Sequence, residues 1–242
     1  MSETLPIVYL DDDMVAVHKP SGLLVHRSQI DRHETRFALQ IVRDQLGRRV
    51  YSVHRLDKGT SGILLFGLNE VAGRNLSLQF ETGLVDKRYL AVVRGWPVEA
   101  GEIDHPLTRW RDDYETAMEV PDAPPQTAFT RYWRHGTVEL PHAVDRYPTS
   151  RYALLELEPV TGRRHQLRRH LKHISHPIIG DATYGKGRHN RLFTELFGTS
   201  RLLLACTRLK VAHPVTGAPL DLHAPASEDF AGVCAGLGWN EP

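Results

Sequence analysis

The sequence predicts an α+β fold, with a mixed, mostly antiparallel sheet and flanking helices. Of its 242 residues, 41% are hydrophobic and 24% are charged, which is ordinary for a globular domain. Apolar runs flank short turns near both ends of the chain, and strand-like runs do not alternate regularly with helical ones. A doubly wound parallel sheet requires that alternation. A sheet of mainly antiparallel neighbours is therefore the better prediction.

In the first half, apolar runs and turn residues define the predicted elements. Two apolar runs on either side of Asp11–Asp13 predict a hairpin. Apolar residues at helical spacing, with Gly47 as a stop signal, predict a helix over Thr35–Leu46. The other predicted elements are the hairpin strands Ile7–Leu10 and Met14–His18, a buried strand Ser61–Leu68, a helix Glu70–Phe80 and a strand Arg88–Val93.

The second half begins with a stretch that lacks clear periodicity. Residues 96–150 combine an acidic bias with several prolines, and we expect an irregular insertion there. Within and after it, the predicted strands are Ile103–Leu107, Thr127–Trp133, Arg151–Leu157, Leu202–Val211 and Leu220–His223. Arg164–His173 is predicted to be a helix that buries Leu167, Leu171 and Ile174.

Cysteine content and hydropathy exclude several classes of protein. Two cysteines, Cys206 and Cys234, cannot form a disulfide framework or a four-cysteine zinc site. Met1–Pro6 lacks the basic and apolar segments of a signal peptide. No apolar run approaches the roughly 20 residues that a membrane-spanning helix needs. We therefore expect a cytoplasmic protein with no membrane association.

Charge is distributed unevenly along the chain. The net charge of +1 argues against a generally basic nucleic-acid-binding protein. Acidic residues nevertheless dominate from Glu99 to Asp122, whereas residues 159–180 contain none. That acid-free segment carries Arg163, Arg164, Arg168, Arg169, Lys172 and four histidines. A local basic patch of this kind suits a polyanionic partner such as RNA.

The segment His54–Gly62 is rich in turn-forming residues and precedes an apolar run, which predicts a loop at the mouth of a buried strand. Asp57 is the only acidic residue in this segment, and its neighbours include His54, Arg55 and Lys58. Neighbouring cations favour the ionised carboxylate, which can act as a nucleophile or a base. The alternative is that Asp57 merely organises a turn through its own backbone.

Arg164, Arg168 and Lys172 are spaced to share one face of the predicted helix. Like charges at this spacing repel each other unless anions lie opposite. RNA phosphates would serve, and so would an internal carboxylate such as Asp57. The alternative is an ordinary solvated basic face.

Three further patterns allow more than one interpretation. Gly180–Lys186 nearly matches a phosphate-binding loop, but Gly187 replaces the Ser or Thr that would hold Mg²⁺. Tyr89, on a predicted strand, could stack on a base or simply pack. Four histidines suggest a metal site without matching a known zinc pattern, namely His165, His170, His173 and His176.

Together these segments resemble the RluA family of pseudouridine synthases over most of the chain. The similar motifs, in the family's order and spacing, are His54–Asp57 with Thr60–Gly62, Lys87–Tyr89, and Thr161–Arg163 with His165–Arg168, and His176–Asp181 resembles the segment that usually follows them. Ala205 stands where the family usually carries a histidine, which puts one supporting contact in doubt. The resemblance implies one catalytic domain over residues 1–242, with no preceding RNA-binding domain and a central active-site cleft.

The resemblance also implies a reaction and a set of site residues. An isomerase of this kind needs no cofactor and no metal. Asp57 matches the catalytic carboxylate, Arg168 the arginine that pairs with it, and Tyr89 the tyrosine that stacks near the target base. Arg55 matches the residue that fills the gap left by a flipped uridine. The remaining expected RNA contacts are His54, Arg163, Arg164 and Lys172.

The expected partner is RNA, and no protein partner is evident. Several segments are most similar to family members that act on the T stem of tRNA, although rRNA or dual specificity is an alternative. Attack by Asp57 on the ribose and attack on the uracil ring both remain open. Two other classes stay as alternatives: a non-catalytic RNA-binding module and a nucleotide-dependent enzyme.

Overall fold

A computed structural model describes residues 3–27, 33–108 and 124–239. These residues form one ten-stranded sheet and five helices. The strands are β1 Ile7–Leu10, β2 Met14–Lys19, β3 Tyr51–Ser52, β4 Ser61–Gly67, β5 Asp86–Arg94, β6 Ala100–Asp104, β7 Phe129–Leu140, β8 Ser150–Pro159, β9 Leu204–Ala212 and β10 Pro219–His223. The helices are α1 Ala38–Leu46, α2 Glu70–Glu81, α3 Gln166–His173, α4 Gly187–Phe197 and α5 Glu228–Gly236.

The sheet is almost entirely antiparallel, which confirms the predicted fold class. Its main path runs β1-β2-β4-β9-β5-β8-β7-β6, with β3 added to β4 and β10 added to β9. The one parallel contact in the described sheet joins β4 to β9 and is two residue pairs long: Ser61 with Ala205 and Gly62 with Cys206. Strands β1–β4 lie on one side of this contact and strands β5–β10 on the other.

Both faces of the central strands are buried. Leu204 of β9 packs in the apolar cluster that contains α3, and Cys206 packs in the cluster that contains α2. Residues two apart on a strand point to the same face, so α2 and α3 flank a common face. Ala205 faces the other way, into the cluster formed with α4 and α5. The space between α2 and α3 is the central cleft that the fold class predicted.

A glycine makes the parallel contact between β4 and β9 possible. Gly62 has φ of 109°, in the region that favours glycine. A Cβ atom there would lie 2.0 Å from the carbonyl oxygen of Cys206. Any side chain at this position would therefore push the two strands apart.

Two helices begin later than the sequence predicts. The predicted start of α1 at Thr35 is wrong because Phe37 is still extended and bridges Leu24, and Leu24 supplies the acceptor for the first helical N–H. The predicted start of α3 at Arg164 is also wrong, because His165 adopts a left-handed conformation with φ of 54°. Arg164 is therefore outside the helix that carries Arg168 and Lys172.

The region 96–150 is more regular than predicted where the structure describes it. It contains β6 and the 12-residue β7, which pairs with β8 over most of its length. The predicted strand Ile103–Leu107 is shifted, because β6 already ends at Asp104. Helices α4 and α5 were not predicted. Much of the acidic run lies outside the described residues, including Asp112, Asp113, Glu115, Glu119 and Asp122.

None of the helices in the described part of the chain has the length and apolar character needed to cross a membrane.

Candidate active site

The loop that carries Asp57 is held by a second turn, Lys19–Gly22. Ser21 Oγ donates to the Gly59 carbonyl at 2.7 Å, and Gly22 N donates to the Lys58 carbonyl at 2.8 Å. The ammonium of the fully buried Lys19 donates to the carbonyls of Pro20, Leu23 and Lys58. Burial lowers the pKa of Lys19 to about 7, although the nearby Asp57 carboxylate opposes that shift. These contacts fix the backbone directly after Asp57.

Arg168 lies between two carboxylates. One guanidinium nitrogen donates to Asp57 Oδ2 at 3.1 Å, while Nε and the other terminal nitrogen donate to Asp181 at 2.7 and 3.0 Å. The Asp181 side chain is completely buried, and that of Arg168 is 11% exposed. Burial favours the neutral forms, but the carboxylate contacts outweigh it and raise the pKa of Arg168, while the same contacts lower the pKa of Asp181. The arrangement holds Arg168 as a fixed cation beside Asp57.

His165 approaches Asp57 from the other side. Its Nε2 is 3.8 Å from Asp57 Oδ1, and its Nδ1 is 3.1 Å from the Tyr184 hydroxyl. Burial lowers the pKa of His165 below its usual range, with the Asp57 carboxylate opposing the shift. A left-handed backbone in a non-glycine residue is strained and is concentrated at functional sites.

Tyr89 of β5 lines the same cleft as Asp57 and Arg168. It pairs with Cys206 of β9, so it lies at the centre of the sheet. Burial raises the pKa of the Tyr89 phenol well above its usual value, and the Asp57 carboxylate adds to that shift. The phenol therefore stays protonated at neutral pH.

Asp57 lies where two clefts meet. The first, of about 720 Å³, contains Tyr89 and is the cleft between α2 and α3. The second, of about 700 Å³, is lined by the 21–26 turn and by residues 180–183 and 200–202. The residues common to both clefts are Arg55, Leu56, Asp57, His165 and Arg168. A carboxylate fixed by an arginine is thus accessible from two sides.

Comparison with known proteins identifies the family. Residues 13–173 match the family model described as RNA pseudouridylate synthase. The chain belongs to the RluA family. The family predicted from the motifs is confirmed, and those motifs supply Tyr89, His165 and Arg168 around Asp57.

Relatives of this RluA-family chain support the assignment over nearly its whole length. A Salmonella typhi protein named "tRNA pseudouridine synthase C" is 49% identical over 97% of this chain and 90% of its own length. A Pectobacterium carotovorum protein of the same name is also 49% identical, but the chain spans 62% of its length. The structure of human RNA pseudouridylate synthase domain containing 4 is similar, with 25% identity and a TM-score of 0.72, over 98% of this chain and 94% of that one.

His54 of the RluA-family motif supports the loop from inside. Its Nε2 accepts a hydrogen bond from the backbone N–H of Leu65 at 3.0 Å, and its ring stacks on Phe80 at 4.3 Å. Burial lowers the pKa of His54 to about 3, with the Lys87 ammonium adding to the shift. The ring is thus a neutral acceptor whose hydrogen-bonding nitrogen is directed at the protein.

The four predicted basic residues occupy four different places. Arg55 is exposed at the junction of the clefts. Arg163 lines the first cleft and donates to the Thr127 carbonyl, and Arg164 lines the second. Lys172 is exposed 5.8 Å from the Tyr184 ring and lines neither cleft. The predicted common face of Arg164, Arg168 and Lys172 is therefore wrong.

The structure does not bring the four histidines together as metal ligands. His165 bonds Tyr184, His170 bonds Thr130 and the His105 carbonyl, and His176 bonds the Arg94 carbonyl. Over residues 3–27, 33–108 and 124–239, one group has metal-compatible spacing: Asp11, Asp13 and His213. The Asp11 carboxylate already bonds His213 and the N–H groups of Asp13 and Met14, and the Asp13 carboxylate accepts from the Asn69 amide.

The segment Gly180–Lys186, which nearly matches a phosphate-binding loop, binds a carboxylate of the protein itself. The backbone N–H groups of Thr183 and Tyr184 donate to Asp181 Oδ1, each at 2.9 Å. An internal carboxylate therefore occupies the turn whose N–H groups would otherwise bind a phosphate.

Asp181 was not predicted as a site residue. Two signals were available: Asp181 is the first acid after the acid-free segment 159–180, and it ends the family-like segment His176–Asp181. A lone carboxylate next to a basic run is a natural internal counter-ion. Tyr184, whose ring lies 5.0 Å from the Arg168 guanidinium carbon, had no comparable signal.

Proposed function

We propose that this protein isomerises a uridine of tRNA to pseudouridine, with Asp57 as the catalytic carboxylate. The observation that carries the proposal is the Asp57–Arg168 contact of 3.1 Å in a cleft that also contains Tyr89. The printed names of the bacterial relatives support tRNA as the substrate. A uridine in the T stem is the specific target we infer, and the location we infer is the cytoplasm.

The chemistry requires one glycosidic bond to break and another to form. The N1–C1′ bond breaks, the uracil turns, C5 bonds to C1′, and the proton leaves C5 while N1 gains one. Asp57 attacks either the ribose or the ring, and Arg168 keeps it ionised inside the closed site. The protonated phenol of Tyr89 offers a ring on which the uracil stacks.

Substrate entry requires the uridine to leave its stack. Unstacking costs a few kcal/mol, part of which an inserted side chain offsets. Arg55 has the exposure and position to fill the vacated space, because it lies at the junction of the clefts. Arg163 and Arg164, one on each side, are proposed to contact phosphates and position the strand.

Mapping of the modification tests the proposal. Purified protein and the Asp57→Asn variant are incubated with unmodified tRNA and rRNA, and pseudouridine is located by chemical blocking and primer extension. We expect one new stop in tRNA with the wild type and none with the variant, whose RNA affinity stays near that of the wild type because phosphate contacts dominate binding.

Two outcomes would contradict the proposed function. RNA binding without any isomerised base would favour a non-catalytic RNA-binding module. Wild-type turnover by Asp57→Asn would remove the carboxylate mechanism. Modification of rRNA alone would keep the reaction and correct the substrate.

A further inference from the structure

Lys87 is a buried lysine with no bonded partner inside the protein. Its side chain belongs to β5 and is 8% exposed, and it lines the cleft that contains Tyr89. In the described part of the chain, neither a hydrogen bond nor an ion pair reaches its ammonium group, whose nitrogen is in contact with solvent in the cleft. Buried lysines are almost always paired. Lys19, the other buried lysine, follows that rule with three carbonyl acceptors.

The neighbours of Lys87 do not neutralise it. Asp86 precedes it on β5 and is exposed, so its side chain points to the opposite side of the strand. The neighbouring His54 and Cys206 are neutral, because burial lowers the pKa of His54 to about 3 and raises that of Cys206 to about 12. Burial also lowers the pKa of Lys87. Such a group gains most from an acceptor that arrives with a ligand.

The position of Lys87 relates it to the reacting base. Lys87 and Tyr89 are two residues apart on one strand, so they point to the same face about 7 Å apart along it. Tyr89 lies close enough to Asp57 for the carboxylate to shift its pKa. The cleft lining combines apolar side chains, among them Val53, Leu56, Phe80 and Leu204, with cationic ones such as Arg55 and Arg163. A flat, uncharged base fits the apolar part of this lining, whereas the exposed Arg55 offers a phosphate a cation that stays in water.

We propose that Lys87 is a catalytic residue that donates a hydrogen bond to a carbonyl oxygen of the target uracil. The proposal rests on the proposed function, since it requires a uridine in this cleft. Exposed cations such as Arg55 remain the groups suited to phosphates. Lys87 is suited to the base because it is buried and lies beside Tyr89.

The ammonium stabilises charge that the reaction itself creates. When the N1–C1′ bond breaks, its electron pair stays with the uracil and spreads over N1, C5 and the carbonyl oxygens. Attack at the ring places charge on the same system. The pair is used when C5 bonds to C1′, the C5 proton departs and N1 is protonated. Lys87 keeps its own proton throughout and acts as a fixed donor in a site with little water.

The first test separates catalysis from binding. Lys87→Met keeps the length of the side chain and suits the apolar part of the lining, and Lys210→Met is a matched control on the exposed part of β9. In single turnovers at saturating enzyme, we expect Lys87→Met to slow isomerisation by about 10²- to 10³-fold, the usual effect of removing one such donor. Its Kd for tRNA and the slope of log Kd against log salt should equal those of the wild type and the control.

A second test identifies the contact. Sulfur is a poor acceptor, so the target uridine is replaced by 2-thiouridine in one tRNA and by 4-thiouridine in another. One of these two sulfur substitutions should slow isomerisation by the wild type and cause no further loss of rate in Lys87→Met. If Lys87→Met is poorly folded by circular dichroism, the same cycle is run with Lys87→Arg, which keeps a donor and should retain part of the rate and part of the sulfur effect.

Several results would overturn the proposal. The first is a wild-type rate in Lys87→Met. The second is weaker tRNA binding by Lys87→Met with a flatter salt slope, which indicates a phosphate contact. The third is a sulfur effect of the same size in Lys87→Met as in the wild type. A wild-type protein that modifies no RNA would instead refute the proposed function. The two failures are thus distinguishable in one experiment.

Discussion

Asn substitution of the two carboxylates bound to Arg168 should separate stability from activity. Asp181→Asn and Asp57→Asn are the same chemical change on two partners of one guanidinium. Asp181 is completely buried and makes two of the three hydrogen bonds, whereas Asp57 is 21% exposed and makes one. We expect Asp181→Asn to destabilise the fold strongly and Asp57→Asn to abolish isomerisation with little loss of stability.

The magnitudes follow from burial. Removing one partner of a buried ion pair costs about 3–5 kcal/mol. The lower end applies to Asp181→Asn, because the amide oxygen still accepts from the N–H groups of Thr183 and Tyr184. A loss of about 3 kcal/mol lowers the melting temperature of a chain of this size by roughly 6–12 °C. Asp57→Asn leaves Arg168 paired with Asp181, so we expect a change under about 1 kcal/mol.

Urea unfolding followed by circular dichroism gives both free energies, and single-turnover assays on tRNA give both rates. Asp181→Asn should also react slowly, because Arg168 has lost the anchor that orients it. Equal destabilisation by the two variants would refute this reasoning, and so would an Asp181→Asn protein that melts with the wild type. Either result would mean that Arg168 is not held mainly by Asp181.

Three other predictions concern pH, base flipping and phosphate contacts. Burial lowers the pKa of His54 to about 3 and of His170 to about 4, below the unfolded value near 6.5, so protons bind the unfolded chain more strongly. The free energy of unfolding from urea titrations should therefore fall as pH drops from 6.5 towards 4, by up to about 1.4 kcal/mol per pH unit for each histidine, and a flat profile would contradict it. Arg55→Ala should reduce the rate more on folded tRNA than on an unstructured oligonucleotide with the same uridine, and equal losses would exclude a role in flipping. Arg164→Ala should flatten the log–log salt dependence of RNA binding by about 0.9 and Lys172→Ala should not, whereas equal slopes would return Arg164 to an ordinary surface role.

Local patterns were sufficient for several strands and helices, although the amphipathic helix α4 was missed. Three elements form where their own residues predict them: the hairpin around Asp11–Asp13, the fully buried strand from Ser61 and the amphipathic helix from Glu70. Helix α5 was missed because Glu228–Gly236 is short and only weakly amphipathic. Its stability comes from packing against the sheet, which a local pattern does not contain.

The candidate site was also predictable from the sequence only in part. The motifs single out Asp57, Tyr89 and Arg168. Because Asp57 and Arg168 are 111 residues apart, the charge pattern offered Asp57 only as one possible counter-ion, and the resemblance alone paired it with Arg168. The position of Arg164 depended on the left-handed backbone at His165, and helical periodicity carries no sign of such a residue. The lack of a partner for Lys87 is a property of the folded sheet and has no counterpart in the sequence.

If Asp57, Tyr89 and Arg168 act as proposed, the parallel contact of β4 with β9 must align the two parts of the sheet for catalysis. Asp57 precedes β4, while Tyr89 and the helix that carries Arg168 belong to the other part. A displacement of 1 Å at a reacting group can cost about 10²-fold in rate. Selection at Gly62 would then preserve the alignment of β4 with β9 and not a reacting atom. Gly62 would therefore tolerate as little variation as Asp57, although it does not contact the substrate.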